Sequence, residues 1–362
     1  MYVMKSSDVF SSKVSRSHRD EYIAPQRLTA LRGTRNIKGI INRINNINTM
    51  KKLFYCAAAL IVLLFGSSCQ QEKLEPAGEQ TLVTLEVEIP YLAQTKAISK
   101  AELTDIVYYE IWRTGGTEKL FASSAVVTDC KASIQISLVK GLTYDFIFWA
   151  QNKDCGAYDV TELKTVKVKY DVIAAAGNQD KFDAFYAFRS YTVEMPFNKT
   201  VKLERPFAQL NFGATKMTTT LGDIKLGDTQ VTVSPGLPTI FNTVEGKGET
   251  PTANPVTFKA KGLATSAEKL EVDIDKNGSI SEEEKFIWVS MNYMLRSDES
   301  TYTVTTDFSV EGVGSVRHSV SNVPLKANYR TNILGDLFTS DARLNIVVEP
   351  DFKKPDEVKD AI

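Results

Sequence analysis

Hydrophobic and polar residues alternate through most of the chain beyond residue 80. Val83, Leu85, Val87 and Ile89 are separated by Thr84, Glu86 and Glu88, the period-two signature of a strand with one buried face. Pro90 stops it, because proline cannot donate to a ladder. The rhythm returns in residues 106–113 (IVYYEIWR), turns at Gly115 and Gly116, and runs back over 118–127. In residues 132–138, Ile134, Ile136 and Leu138 share a face. Residues 143–151 (TYDFIFWAQ) are rich in aromatics, as expected of a strand central in a sheet, and 165–170 alternate again. Residues 178–189 (NQDKFDAFYAFR) depart from this pattern. Phe182, Phe185, Tyr186 and Phe188 cluster there as in a short helix or packed loop, predicting an aromatic plug at one end of a sandwich or a binding surface. Alternation resumes at Tyr191 and continues through 200–215 (TVKLERPFAQLNFGAT). Short runs cut by Pro and Gly follow at 229–237, 239–246 and 255–263, then longer ones at 286–295, 301–310, 314–323 and 342–350. Strands spaced by roughly 8–12 residues with turn signals between them predict β-sandwiches. The fold class expected is all-β: two tandem β-sandwich domains, residues 81–204 and 205–350. No helical period lasts long enough for a βαβ unit.

Residues 50–73 (MKKLFYCAAALIVLLFGSSCQQEK) follow a different pattern. Lys51 and Lys52 precede an apolar run from Leu53 to Phe65, followed by Gly66, Ser67, Ser68 and Cys69. Charged start, apolar middle and small-residue cleavage site are the order of a secretory signal peptide. The apolar part is shorter than the roughly 20 residues of a spanning helix. A cysteine directly after small residues resembles the lipobox of bacterial lipoproteins. The resemblance implies a signal peptide at 50–68, a lipid (palmitate) on Cys69, a polar tether at 69–80, and attachment to the outer membrane or cell surface through that lipid. Residues 1–49 are basic and aperiodic. They are expected to come from a start codon assigned too early, with Met50 the true start. Residues 351–362 read as a polar tail.

Composition narrows the function. Roughly 290 residues follow Cys69, enough for two domains at ~150 residues each. The formal net charge of the whole chain is -1. Without the basic front the remainder is mildly acidic, which argues against a nucleic-acid partner. Of four cysteines, Cys56 falls in the signal and Cys69 is the lipid site. Cys130 and Cys155 remain; outside the cytoplasm they can pair as a disulfide or stay as two buried thiols. Their spacing is no metal motif. His318 is the single histidine beyond the signal, and no G-x-S-x-G elbow, G-x-G-x-x-G or P-loop occurs, so no enzyme is expected.

The sharpest local motif is residues 273–284, DIDKNGSISEEE. It fits the calcium-loop pattern D-x-[DN]-x-[DN]-G-x5-E. Asp273, Asp275 and Asn277 offer oxygens at positions one, three and five, and Gly278 permits the sharp turn. Ser279 would give its carbonyl, Ser281 would act through water, and Glu284 could bind with both oxygens. The flanks are not those of an EF-hand, since residues 286–295 read as a strand. The other reading is a polar hairpin loop in which Asn277 and Gly278 are a turn pair.

Residues 205–214 (RPFAQLNFGA), 288–295 (WVSMNYML) and 324–339 (PLKANYRTNILGDLFT), together with the lipobox, resemble fimbrillin-like lipoproteins of Bacteroidota, the subunits, anchors and relatives of type V pili. The resemblance implies two tandem sandwiches of transthyretin-like, Greek-key arrangement and assembly by strand donation. In that mechanism a trypsin-like protease removes the N-terminal strand, and the groove left behind accepts a strand from the next subunit. Carried onto this chain, residues 81–90 would be the strand released, with Val83, Leu85, Val87 and Ile89 leaving the groove. The C-terminal end would be the donor, with Leu344, Ile346 and Val348 as anchors. The implied partners are other fimbrillin-like subunits. This sequence departs from the family at the cleavage point: the first arginine after Cys69 is Arg113, and only Lys96 and Lys100 lie in the loop that would be cut. An alternative is a lipoprotein that does not polymerise and binds glycan or host ligand through aromatics such as Trp149, Tyr158 or Trp288.

Overall fold

The computed structural model describes residues 78–90 and 101–349, apart from 216–217, 220–221, 224, 265–268, 296–300, 313 and 340–341. Residues 1–49, the signal-like stretch 50–68, Cys69, most of the tether, residues 91–100 with Lys96 and Lys100, and the tail 351–362 lie outside the described residues. All described residues belong to one compact unit.

The first half of the chain forms β1 (Gln80–Glu88), β2 (Ile106–Arg113), β3 (Lys119–Val126), β4 (Lys131–Val139), β5 (Leu142–Gln151), β6 (Tyr158–Asp159), β7 (Thr165–Val168), α1 (Tyr170–Ala175), β8 (Ala184–Val193) and β9 (Phe197–Lys202). A three-stranded sheet, β4-β1-β9, packs on a four-stranded sheet, β3-β2-β5-β8. Their facing side chains make a first core: Val83, Leu85 and Val87 from β1 meet Val107 and Ile111 from β2, and Phe146 and Phe148 from β5. β5 is central, paired with β2 on one side and β8 on the other. Both of its faces are covered. Phe146 and Phe148 enter the first core, while Ile147 and Trp149 enter a second. That is why residues 146–150 (FIFWA) are apolar without a break.

The second half forms β10 (Phe207–Ala214), β11 (Thr218–Thr219), β12 (Gly222–Asp223), β13 (Leu226–Ser234), β14 (Pro238–Asn242), β15 (Lys247–Pro251), β16 (Val256–Lys261), β17 (Lys269–Glu271), β18 (Lys285–Leu295), β19 (Thr301–Val310), β20 (Gly314–Pro324), β21 (Arg330–Gly335) and β22 (Leu344–Glu349). The sheets are β16-β13-β19-β20 and β17-β18-β10-β21-β22. Phe212 on β10 and Phe308 on β19 meet edge-on at 5.6 Å inside the second core. A further sheet, β15-β14-β7-β6, takes two strands from each half. The Thr165–Asn242 and Lys167–Ile240 pairings therefore run across residues 204–205. Trp149 stands at this junction, with Tyr158, Phe241 and Phe207 at 5.3, 6.0 and 6.3 Å.

Two local expectations need correction. The aromatic segment 178–189 is neither a helix nor a loop throughout. A 3-10 turn, Asp180–Phe182, leads into β8, which carries Phe185, Tyr186 and Phe188. Alternation on β8 sends Phe185 into the first core while Phe182, on the turn, enters the second. The strand read at 165–170 ends at Val168, and the six-residue helix α1 follows. Its first residue, Tyr170, accepts the Leu295 N–H at 3.0 Å, a buried tertiary anchor that a six-residue window cannot announce.

Candidate functional site

β1 is the middle strand of its sheet. It pairs antiparallel with β4 from Gln80↔Val139 to Glu88↔Lys131, and parallel with β9 from Val83↔Phe197 to Glu88↔Lys202. Val83, Leu85 and Val87 are 0% exposed and Ile89 3%. The opposite face carries Leu82, Thr84, Glu86 and Glu88; Glu86 and Glu88 reach Lys131 at 3.2 and 2.9 Å. All four groove side chains named from the sequence thus point into one core. Withdrawing β1 would leave two facing edges separated by about two strand spacings, ~9.5 Å, over an apolar slot.

β22 sits differently. It pairs only with β21, at the edge of its sheet. None of its side chains is buried: Leu344 and Val348 are partly covered and Ile346 is 37% exposed.

A buried polar ladder runs across the same sheet to β22, and alternation alone does not announce it. Gln209 and Asn211 alternate with Ala208, Leu210 and Phe212 on β10, as solvent-facing residues would, yet both are 0% exposed. Gln209 Nε2 donates to Tyr293 Oη at 2.8 Å, and Tyr293 donates to Asp180 Oδ1 at 3.4 Å. Asn211 Nδ2 donates to Gln209 Oε1 at 3.2 Å and Asn332 Oδ1 at 2.9 Å. Asn332 Nδ2 donates to Glu349 Oε2 at 2.8 Å. The three sequence phrases at 205–214, 288–295 and 324–339 thereby become three neighbouring strands, β10, β18 and β21, that share one network. At the start of β10, Arg205 forms a bidentate pair with Asp183, both side chains 1% exposed, and lies 4.6 Å from the Phe185 ring.

The acidic loop closes between β17 and β18. Carboxylate oxygens of Asp273, Asp275 and Glu284 lie within 4.8 Å of one another. Asp273 accepts the N–H groups of Asn277 and Gly278 at 3.1 and 2.9 Å. Asn277 Oδ1 accepts the Ser279 N–H at 2.8 Å. Gly278 sits at φ 82, in the left-handed region that favours glycine. No EF-hand helix follows; a 3-10 turn, Glu282–Glu284, leads into β18, with Ser281 and Glu284 forming a capping box. The N–H and hydroxyl of Ser281, then the N–H of Ile274, hold the Glu284 carboxyl down to about 2. Because the folded value is depressed, this contribution is present above the free carboxyl's value of about 4.3 and is lost as pH falls through about 2.

The remaining residues named from sequence are placed as follows. Trp149, Tyr158 and Trp288 are 0%, 5% and 3% exposed, so none offers a stacking face to a sugar. His318 is buried, with Nε2 2.9 Å from the Leu337 carbonyl. Cys130 and Cys155 are not joined by a disulfide. The reason is their packing: Cys130 lies against the first core and Cys155 inside the second.

The fold is similar to solved structures from Bacteroidota. A fimbrial assembly protein from Parabacteroides distasonis ATCC 8503 is 13% identical, over 75% of this chain and 96% of that one, with TM-score 0.38. The tip fimbrial protein Mfa3 from Porphyromonas gingivalis, with C-terminal truncation, is 8% identical over 75% and 99%, with TM-score 0.41. A protein provisionally assigned to cell adhesion from Bacteroides ovatus ATCC 8483 is 11% identical over 76% and 98%, with TM-score 0.45. No curated protein matches the chain. Residues 75–361 match one family over most of the sequence, and the chain belongs to it: the family of unknown function DUF6562.

Proposed function

We propose that this chain is a fimbrillin-like surface lipoprotein, a structural component, anchor or tip of a type V pilus, held to the outer membrane by a lipid on Cys69. Its partners are other fimbrillin-like subunits, joined by strand donation. One observation carries the reading: β1, near the start of the compact unit, is an interior strand with both ladders paired and Val83, Leu85, Val87 and Ile89 in the core. A sheet that loses such a strand exposes N–H and C=O groups on two edges and an apolar slot between them, and an extended peptide satisfies both. β22, paired on one side only, is the strand best placed to leave. For the alternative of a non-polymerising glycan binder, the aromatics Trp149, Tyr158 and Trp288 give no support, being buried. The test is truncation of the mature chain before Ala97. The truncated protein is expected to form ladders stable in detergent, whereas the intact one stays monomeric. A truncated protein that remains a monomer would count against strand exchange.

Calcium at the loop of residues 273–284 belongs to the same proposal. The converging carboxylates supply hard oxygen donors of the kind that suits this cation, and the ion would brace the loop. Asp273, Asp275, Asn277, Ser279, Ser281 and Glu284 would hold it, with weak extracellular-type affinity, Kd about 10⁻⁴–10⁻³ M. Titration calorimetry is expected to register calcium heat with wild type and to lose it with Asp273→Ala. Equal heats from the two proteins would leave a loop closed by its own hydrogen bonds.

A further inference from the structure

We infer that Arg330 and Asn332 on β21 form a catch that reads a carboxylate on the strand lying beside them, and that Glu349 is the residue that keeps β22 seated. β22 pairs on one side only and buries no side chain. Two polar groups of β21 converge on one of its atoms. Glu349 Oε2 accepts Asn332 Nδ2 at 2.8 Å and stands 3.5 Å from Arg330 Nη2. The Arg330 and Glu349 side chains are 9% and 18% exposed, so their attraction is only partly screened by water.

The catch is preorganised from behind. A carboxylate only accepts hydrogen bonds, so Asn332 must present its NH2 group to Glu349 and turn Oδ1 inward. There Oδ1 receives Asn211 Nδ2 at 2.9 Å. Asn211 and Asn332 are both 0% exposed, and Asn211 is fixed in turn through Gln209 and Tyr293. The outward donor of Asn332 therefore exists before β22 docks and demands an acceptor. Arg330 demands that the acceptor be negative. A strand with an apolar side chain at this register leaves a buried cation and a buried amide without that partner, and one with an amide side chain still leaves the cation without its carboxylate, which costs more than the pair contributes when formed. The edge of β21 thus selects a strand with an acidic residue opposite Arg330, and in this chain that strand is β22. The consequence for assembly rests on the reading of β22 as donor: Glu349 would set how readily it leaves.

Segment-resolved amide hydrogen exchange on the intact chain tests the catch apart from assembly. Glu349→Ala is expected to speed exchange in residues 344–349 by roughly 10- to 100-fold, the scale of a lost hydrogen bond to a charged group. The β10–β18 ladder should keep its protection. Glu349→Gln, which retains an acceptor for Asn332 but not the charge, should fall between the two. Unchanged exchange in 344–349, or equal acceleration across the whole sheet, overturns the catch. Loosening of β22 in Glu349→Ala, combined with a truncated chain that never polymerises, would keep the catch and reject strand donation.

Discussion

Leu85→Asp is expected to unfold the first sandwich at neutral pH, whereas Leu82→Asp, three residues away on the same strand, leaves it folded. Leu85 is 0% exposed and Leu82 48%, because alternation puts them on opposite faces of β1. Fully burying each of Val83, Leu85, Val87 and Ile89 contributes about 1.5–3 kcal/mol, so the strand supplies roughly 6–12 kcal/mol. That is comparable with the entire stability of an ordinary domain, about 5–15 kcal/mol. Placing a carboxylate at position 85 removes part of that burial and adds an unpaired charge inside the apolar first core, which also holds Val107, Ile111 and Phe146. The cost should exceed about 4 kcal/mol, the range reserved for such core lesions. Leu82→Asp should stay within about 0.5 kcal/mol, as surface changes do. Thermal unfolding of the two variants decides the matter; equal shifts would mean β1 does not hold its face to the core. By the same magnitude, a chain without β1 has lost a domain's worth of stability until another strand fills the slot.

Arg205→Met is expected to destabilise the protein by about 3–5 kcal/mol, because it leaves Asp183 as a buried charge without its guanidinium. Asp183→Asn should cost a similar amount for the reverse reason. Combining the two should cost less than either cost added to the other, since removing both charges also removes the penalty of stranding one. The pair is bidentate and both side chains are 1% exposed, so solvent does little to screen it. Its place gives it leverage. Asp183 precedes β8, whose Phe185 fills the first core, and Arg205 precedes β10, whose Leu210 and Phe212 fill the second. Urea unfolding of the four proteins yields the coupling. Strict additivity would show that the two charges stand beside one another without holding the halves together.

Much of the secondary structure was legible because most strands here have one wet face. β1, β2, β4 and β18 begin and end within two residues of the runs read from alternation and turn residues. The acidic loop was legible too, since its spacing encodes its turn: Asp273, Asn277 and Gly278 meet as the pattern requires. Other features were hidden for identifiable reasons. Alternation carries no sign that a polar residue is buried, so nothing in the spacing marks Gln209, Asn211 and Asn332 as a buried network. Clustered aromatics give no period, so the segment entering β8 reads as a short helix or packed loop.

The sequence by itself determined the class of structure, the inward face of β1 and the chemistry available to the loop at residues 273–284, because these depend on spacing within a single segment. Only the tertiary structure decided that β7 and β14 pair across the midpoint of the chain, that Asp183 meets Arg205, and that Glu349 is read by residues on another strand. Each of these joins residues far apart in sequence. Their pairing depends on which faces and edges the packed sheets leave open, and no periodicity along one strand carries that information.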